Sequence, residues 1–209
     1  MRVAIRGLGE LCVTAGLVLI LFFAYELWGT GAYTAQQQDR LDAALRKSWT
    51  APKVTTEKVS LGQGLALIRI PRLGKKYHYV VIEGVSRADL RKGPGHYPGT
   101  ALPGGVGNFV VSGHRTTYSA PFNRVGELRS GDKILIDTRE AQYTYEVTGL
   151  KIVKPTEVDV TAPVPFHPGR RATERLITLT TCHPKYSAAR RLIVFGELTE
   201  TRPRTAADR

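Results

Sequence analysis

Cysteine is scarce in this chain of 209 residues: there are two, Cys12 and Cys182. So few thiols exclude a disulfide-stapled scaffold and leave a structural zinc centre without its usual paired ligands. Acidic residues are also in the minority, 18 Asp and Glu against 30 Lys and Arg, and the resulting charge of +12 suits nucleic acid, anionic lipid or an anionic cell wall. No Lys/Arg tract and no zinc-finger spacing gathers those charges; they are scattered, with only short pairs such as Lys75-Lys76, Arg170-Arg171 and Arg190-Arg191. That scatter argues against a nucleic-acid partner. No internal repeat is present, and the length suits one domain with a short appendage.

One long stretch lacks charge altogether. From Leu11 to Tyr25 the chain is apolar, and Leu8, Leu27 and Trp28 extend it toward the roughly 20 residues that cross a bilayer as helix. Glu10 and Glu26 fall at the two ends, where water solvates a carboxylate, and Tyr25 and Trp28 sit at the level of an aromatic belt. Arg2 and Arg6 precede the run, and the first basic residue after it is Arg40. The positive-inside bias then puts the amino terminus in the cytoplasm and everything from about Thr30 onward outside. A cleaved signal peptide is the competing reading, but bulky Tyr33 spoils a cleavage site after Ala35, so a retained anchor is expected. A buried helix of a soluble protein fits less well, because the run has no polar face.

Beyond the anchor, Ala35 to Lys47 reads as helix, with Leu41, Leu45 and Trp49 as a narrow apolar stripe on a polar rod. The expected organisation is an anchor over 1–29, a helical stalk and linker over 30–62, a catalytic domain over 63–200 and a disordered tail over 201–209. Within the domain, short runs rich in Val, Ile and Tyr predict strands at Leu65 to Ile70, Tyr79 to Ile82, Asn108 to Ser112, Lys133 to Asp137, Gln142 to Ile152, Leu176 to Thr181 and Leu192 to Leu198. Tyr143, Tyr145 and Val147 alternate with Thr144, Glu146 and Thr148, as in a half-buried strand. Ser86 with Asp89 predicts a capped short helix, and Asn123 to Leu128 predicts another. Many short strands with small helices between them point to a closed or nearly closed barrel of mixed topology, mainly β.

An exported chain that keeps a lone thiol needs a reason, and nucleophilic chemistry, metal binding and simple burial are the three available. Cys182 lies just past the run Thr178-Leu179-Thr180-Thr181, where Pro184 ends the ladder. Arg191 opens the following strand, so a hairpin brings a guanidinium beside the thiol; Arg190 is the alternative, with the opposite facing. Upstream, Phe109 to Ser112 ends in Gly113-His114, which delivers an imidazole at a strand terminus. A Cys, a His and an Arg suffice for acyl transfer: nucleophile, general acid/base and oxyanion donor. His183 follows the thiol directly, yet neighbours on a strand point to opposite faces, which favours His114.

At these residues a resemblance becomes specific. Thr180-Thr181-Cys182 with Arg191 opening a strand resembles the signature of the sortase family, and Gly113-His114 resembles its catalytic histidine. The segment Gly93 to Gly104, followed by Gly107-Asn108-Phe109, is similar to the stretch leading into that histidine in class E sortases and, less closely, class D. The similarity runs from about Leu65 to Leu198 and implies the sortase eight-stranded β-barrel with short helices, preceded here by a transmembrane helix. It also implies that Cys182 is the nucleophile, His114 the general acid/base and Arg191 the oxyanion or substrate stabiliser. Thr181, Thr180, His96 and Tyr97 are then candidates for substrate contact. The implied partners are secreted proteins with a carboxyl-terminal Leu-Ala-x-Thr-Gly or Leu-Pro-x-Thr-Gly signal, a peptidoglycan precursor as amine acceptor, and the membrane, with no cofactor.

His78 and His167 carry no motif and are expected to be solvated. Glu157, Asp159 and Glu174 are too scattered for a calcium cage, and the Pro-rich loop between Val153 and Arg175 is instead a candidate wall of the substrate groove. Two rival readings remain: an L,D-transpeptidase, which would want Ser-His-Gly-Cys at the thiol, and a non-enzymatic anchored β-module with a zinc-binding or structural Cys/His cluster.

Overall fold

The structure is a computed structural model that describes residues 2–25, 29–51 and 60–205. The proposed aromatic belt at Trp28, most of the linker before Gly64 and the last four residues lie outside the described residues. Helix α1, Arg2–Ala24, is apolar from Leu11 onward and buries none of its residues against protein. At 1.5 Å per residue it is about 35 Å long, enough to cross a bilayer. It is therefore a candidate membrane span.

Helix α2, Thr30–Thr50, is longer than its apolar stripe predicts and is docked rather than free-standing. Leu45 and Trp49 pack on Leu67 and Val80 of the domain, with Leu41 half-buried beside them. The Gln38 amide donates to the carbonyls of Val80 (3.1 Å) and Lys92 (2.8 Å) and accepts from the Val80 N–H (2.7 Å), behaving as one more backbone unit at a strand edge. Thr34 donates to the Arg91 carbonyl at 2.7 Å, and Ser119 donates to the Gly31 carbonyl at 3.0 Å. The segment expected as a stalk is thus a brace along the barrel. Trp49 is 3% exposed, with the Arg204 guanidinium 4.4 Å above its ring. Trp49→Ala is expected to cost about 3–5 kcal/mol, read by urea unfolding of the full chain in detergent together with new proteolytic cleavage in α2.

Eight strands close the barrel: β1 Gly64–Arg69, β2 His78–Glu83, β3 Gly95–His96, β4 Gly107–Ser112, β5 Lys133–Asp137, β6 Ala141–Val153, β7 Arg175–His183 and β8 Arg190–Pro203. Their order around the wall is β1-β2-β3-β4-β7-β8-β6-β5. Pairs β2/β3 and β4/β7 are parallel and the rest antiparallel, the mixed topology expected. Val, Ile, Leu and Phe at alternate positions, among them Ile68, Val81, Phe109, Val111, Ile136, Ile177, Leu179 and Val194, point inward and fill the interior. Tyr145 joins them, its hydroxyl accepting from the Gly104 N–H at 2.7 Å, and burial pushes its pKa up to about 12.

Two differences from expectation have clear causes. Strand β3 is two residues long and carries no alternating pattern, so only its pairing with β2 and β4 defines it. Strand β8 continues to Pro203, three residues into the presumed tail, because β6 pairs with it as far as Ala141↔Pro203. The Ser86 capping box on the short helix α3, Arg87–Leu90, is present as predicted, and the second short helix is a single 3-10 turn, Val125–Glu127.

Candidate active site

Cys182 is the penultimate residue of β7, whose ladder ends at His183 because Pro184 has no N–H to donate. Across the hairpin the antiparallel register sets Cys182 opposite Arg191 and His183 opposite Arg190. Directly opposed residues share a face with Cβ atoms about 4.5–5.5 Å apart, so the thiol and the Arg191 side chain rise from one side of the sheet. Arg190 and His183 rise from the other. Cys182 is half-exposed and unpaired. Arg191 Nη1 donates back to the carbonyls of Ala188 (2.9 Å) and Arg190 (3.0 Å), which folds the guanidinium over the hairpin.

The third group arrives from β4, which runs parallel to β7 with Ser112 opposite Thr180. The ladder ends there, and the chain runs on through Gly113 to His114. Two bonds hold the approach: the Gly113 N–H donates to the Thr180 carbonyl (3.1 Å), and the Thr181 hydroxyl donates to the Gly113 carbonyl (2.7 Å). A Cβ at Gly113 would stand 2.7 Å from the Phe122 ring, so only glycine lets the chain pass there. The His114 ring lies 5.0 Å from that of Tyr118, and the Arg91 guanidinium is 5.7 Å from the Tyr118 ring on the same stack.

The loop that carries this stack is strained and heavily tied. Tyr118, Ser119 and Ala120 all have left-handed φ, at 52°, 58° and 44°. Tyr77 and Tyr79 donate to the carbonyls of Pro121 (2.8 Å) and Ser119 (3.3 Å), while Arg115 Nε and Asn123 Nδ2 each donate to the other's carbonyl. Burial lowers the His114 pKa below its ordinary value, and the nearby Arg91 charge lowers it further. A lowered value makes the imidazolium a stronger acid while reducing the fraction protonated at neutral pH. Arg91→Gln is expected to move the His114 titration to higher pH, though still below that of free histidine, as followed by NMR of the ring protons.

Burial also pulls the Arg115 guanidinium down, with charge at Cys182 acting in the opposite direction, so Arg115 stands within electrostatic reach of the thiol. Sequence reading passed over Arg115, because an arginine after Gly-His gives no sign that it will be only 8% exposed. Asn108 was also missed: its amide donates to the carbonyls of Val160 (3.1 Å) and Ala162 (3.0 Å), pinning the β6–β7 connection to β4. Beneath that connection Val160 and Phe166 pack on Ile193 and Phe195, and a cavity of about 450 Å³ opens between Phe166, Phe195, Leu150 and Leu176.

The remaining predicted residues fall differently. Thr180 is buried on the outer face beside Ile193, and the Thr181 hydroxyl is spent on Gly113. Tyr97 is half-buried, its N–H on the Val110 carbonyl at 2.9 Å. His96 is only 1% exposed, its Nδ1 2.6 Å from the Glu83 carboxylate and its Nε2 2.8 Å from the Thr100 hydroxyl. With both nitrogens engaged inside the wall, it has no atom to offer a peptide and anchors the loop that follows. Among the described residues no three His, Cys, Asp or Glu side chains gather as metal ligands would.

Comparison with known proteins identifies the family. The family profile described as the sortase domain matches residues 68–199. Sortase SrtE1 of Streptomyces coelicolor is 35% identical over 97% of this chain, which spans 59% of that relative's length. The solved structure of sortase E from Streptomyces avermitilis is 40% identical, with a TM-score of 0.63 over 72% of this chain and 99% of that one. The SrtF sortase from Corynebacterium diphtheriae is 32% identical, with a TM-score of 0.69 over 75% and 95% of the two chains. With the profile covering more than half the sequence and the barrel shared, the chain belongs to the sortase family.

Proposed function

We propose that this chain is a membrane-anchored sortase that cleaves a carboxyl-terminal sorting signal between Thr and Gly and passes the released acyl group to an amine of a cell-wall precursor. The observation that carries the reading is the shared face of Cys182 and Arg191 at a strand end, with the His114 segment tied to the neighbouring Thr181.

In the first half-reaction the Cys182 thiolate attacks the Thr carbonyl carbon, and a C–S bond forms. The oxygen becomes an anion, against which Arg191 donates. The C–N bond to Gly then breaks, and the leaving amine takes a proton from the His114 imidazolium. In the second half-reaction an incoming amine gives a proton to the neutral imidazole and attacks the thioester. The new C–N bond forms as the C–S bond breaks, and the thiolate is restored.

The donor peptide lies along the outer face of β7 and β8, with the Pro-rich β6–β7 connection as its wall and the apolar cavity beneath that connection taking the Leu of the signal. Tyr97 and Thr180 flank the approach. Helix α1 anchors the enzyme, with Arg2 and Arg6 in the cytoplasm and the barrel outside. Ala in the second position of the signal is what the resemblance to class E sortases implies. The test is cleavage of fluorogenic Leu-Ala-x-Thr-Gly and Leu-Pro-x-Thr-Gly peptides by the full chain in detergent. The expected result is cut products ending in Thr and a higher kcat/KM for the Ala peptide; intact peptides in both assays would remove the proposal.

A further inference from the structure

A second cavity, of about 560 Å³, lies on the other side of the β7–β8 hairpin, and the acyl-transfer chemistry above makes no use of it. It begins one residue from the reacting pair on each strand, at His183 and Leu192, and is closed by the segment from Arg115 to Glu127. His183 and Cys182 point to opposite faces, so this opening lies on the other side of the hairpin from the groove beneath the β6–β7 connection, the two meeting at Leu150 and Lys151.

Its polar lining is unbalanced. Arg115, Arg124, Lys151 and Lys185 line it, and Glu127 is the one acid on the wall; Lys151 is turned to the Phe166 ring at 4.0 Å. Glu127 is already committed to Arg124 at 2.7 Å, and Lys185 leans on the Asn123 side-chain oxygen at 2.9 Å. Arg115 is more than nine-tenths buried, and its Nη1 has no hydrogen-bond partner among the described residues; the same is true of His183 Nδ1. A buried guanidinium nitrogen and a buried ring nitrogen left unpaired at one cavity are costly unless an acceptor occupies it. A guanidinium with a free nitrogen matches the paired oxygens of a carboxylate or phosphate.

We propose that this cavity is an oxyanion subsite for the second substrate, holding a carboxylate or phosphate group carried by the amine acceptor. After cleavage the acyl fragment still occupies the donor groove, and an acceptor can reach the sulfur from the opposite side. The donor peptide takes the outer face; the acceptor enters from this side, its anion held by Arg115 and Lys185 and its amine directed at the thioester. The inference rests on the transpeptidase reading.

The test uses the full chain in detergent with a sorting-signal peptide and three acceptors: glycine, glycinamide and aminomethylphosphonate. The ratio of aminolysis to hydrolysis product, read by mass spectrometry, reports only the step after the common thioester. Comparing each variant with the native chain cancels the intrinsic reactivities of the amines. The preference for the anionic acceptors over glycinamide is expected to fall about tenfold in Arg115→Gln, the worth of one charge-assisted hydrogen bond, and by less in Lys185→Gln. Whichever anion shows the larger fall, glycine or the phosphonate, names the group bound. Should Arg115→Gln lose its fold by circular dichroism, Lys185→Gln carries the test. An unchanged preference in the folded variants overturns the subsite. Failure of the native chain to cut any peptide would instead overturn the transpeptidase reading. In that case calorimetric titration with inorganic phosphate decides the oxyanion site alone: saturable binding weakened in Lys185→Gln supports it, and no binding removes it.

Discussion

Cys182→Ala is expected to abolish cleavage of the sorting-signal peptide while leaving the barrel intact. The loss should be complete to the limit of detection, because no other described thiol stands outside the candidate membrane span; Cys12 lies within α1. The substitution removes one half-exposed atom at a strand end, where the β7–β8 ladder is already closed by backbone hydrogen bonds. Thermal unfolding should therefore stay close to native, as surface changes away from packed positions alter stability little. Turnover persisting in Cys182→Ala would mean that the attacking atom has been misassigned.

Arg191→Ala carries the second large effect, a loss of about 100-fold to 1000-fold in kcat, the size found when one oxyanion donor is removed. Arg190→Ala is the matched control. The two residues are chemically identical and adjacent, and differ in facing: Arg191 is opposite Cys182, and Arg190 is opposite His183. The account expects near-native kcat/KM for Arg190→Ala in the same assay. A reversal of the two results would move the oxyanion donor to the other face and with it the whole geometry of attack. His114→Ala should match Arg191→Ala in severity, since loss of a general acid typically costs 100-fold to 10,000-fold.

How much of this could be read from residues alone depended on range. Seven of the eight strands of the barrel wall were visible because alternation is local, as at Phe109 and Val111 or Ile177 and Leu179, and their bounds shifted by only a few residues where pairing extended a ladder; β3 was not. The motif around Cys182 was visible because Pro184 ends the strand and Arg191 opens the next. The choice between Arg191 and Arg190 was not, because it turns on the register of the hairpin, a property of both strands together.

Long-range facts were hidden for the same reason. The stripe Leu41, Leu45 and Trp49 marks a face that wants covering, yet nothing near it in the chain says that Leu67 and Val80 cover it. Likewise His96 has the look of a loop residue until Glu83 and Thr100 close around its ring. Arg115 is a milder case: its guanidinium is held by the Asn123 carbonyl and lies against Gly126, where the chain has turned back on itself.

The docked α2 is also tied to the His114 loop. Thr34 holds the backbone of Arg91, Arg91 stacks on Tyr118, Tyr118 on His114, and Ser119 is bonded to Gly31.

The most direct measurement is the intact mass of the full chain after brief incubation with a Leu-Ala-x-Thr-Gly peptide, followed by acid quenching and mapping of the adduct. The prediction is a mass increase equal to the acyl fragment that ends in Thr, attached through a thioester at Cys182 and removed by hydroxylamine. An unmodified chain that nonetheless cuts the peptide, or an adduct on any other residue, would contradict the account.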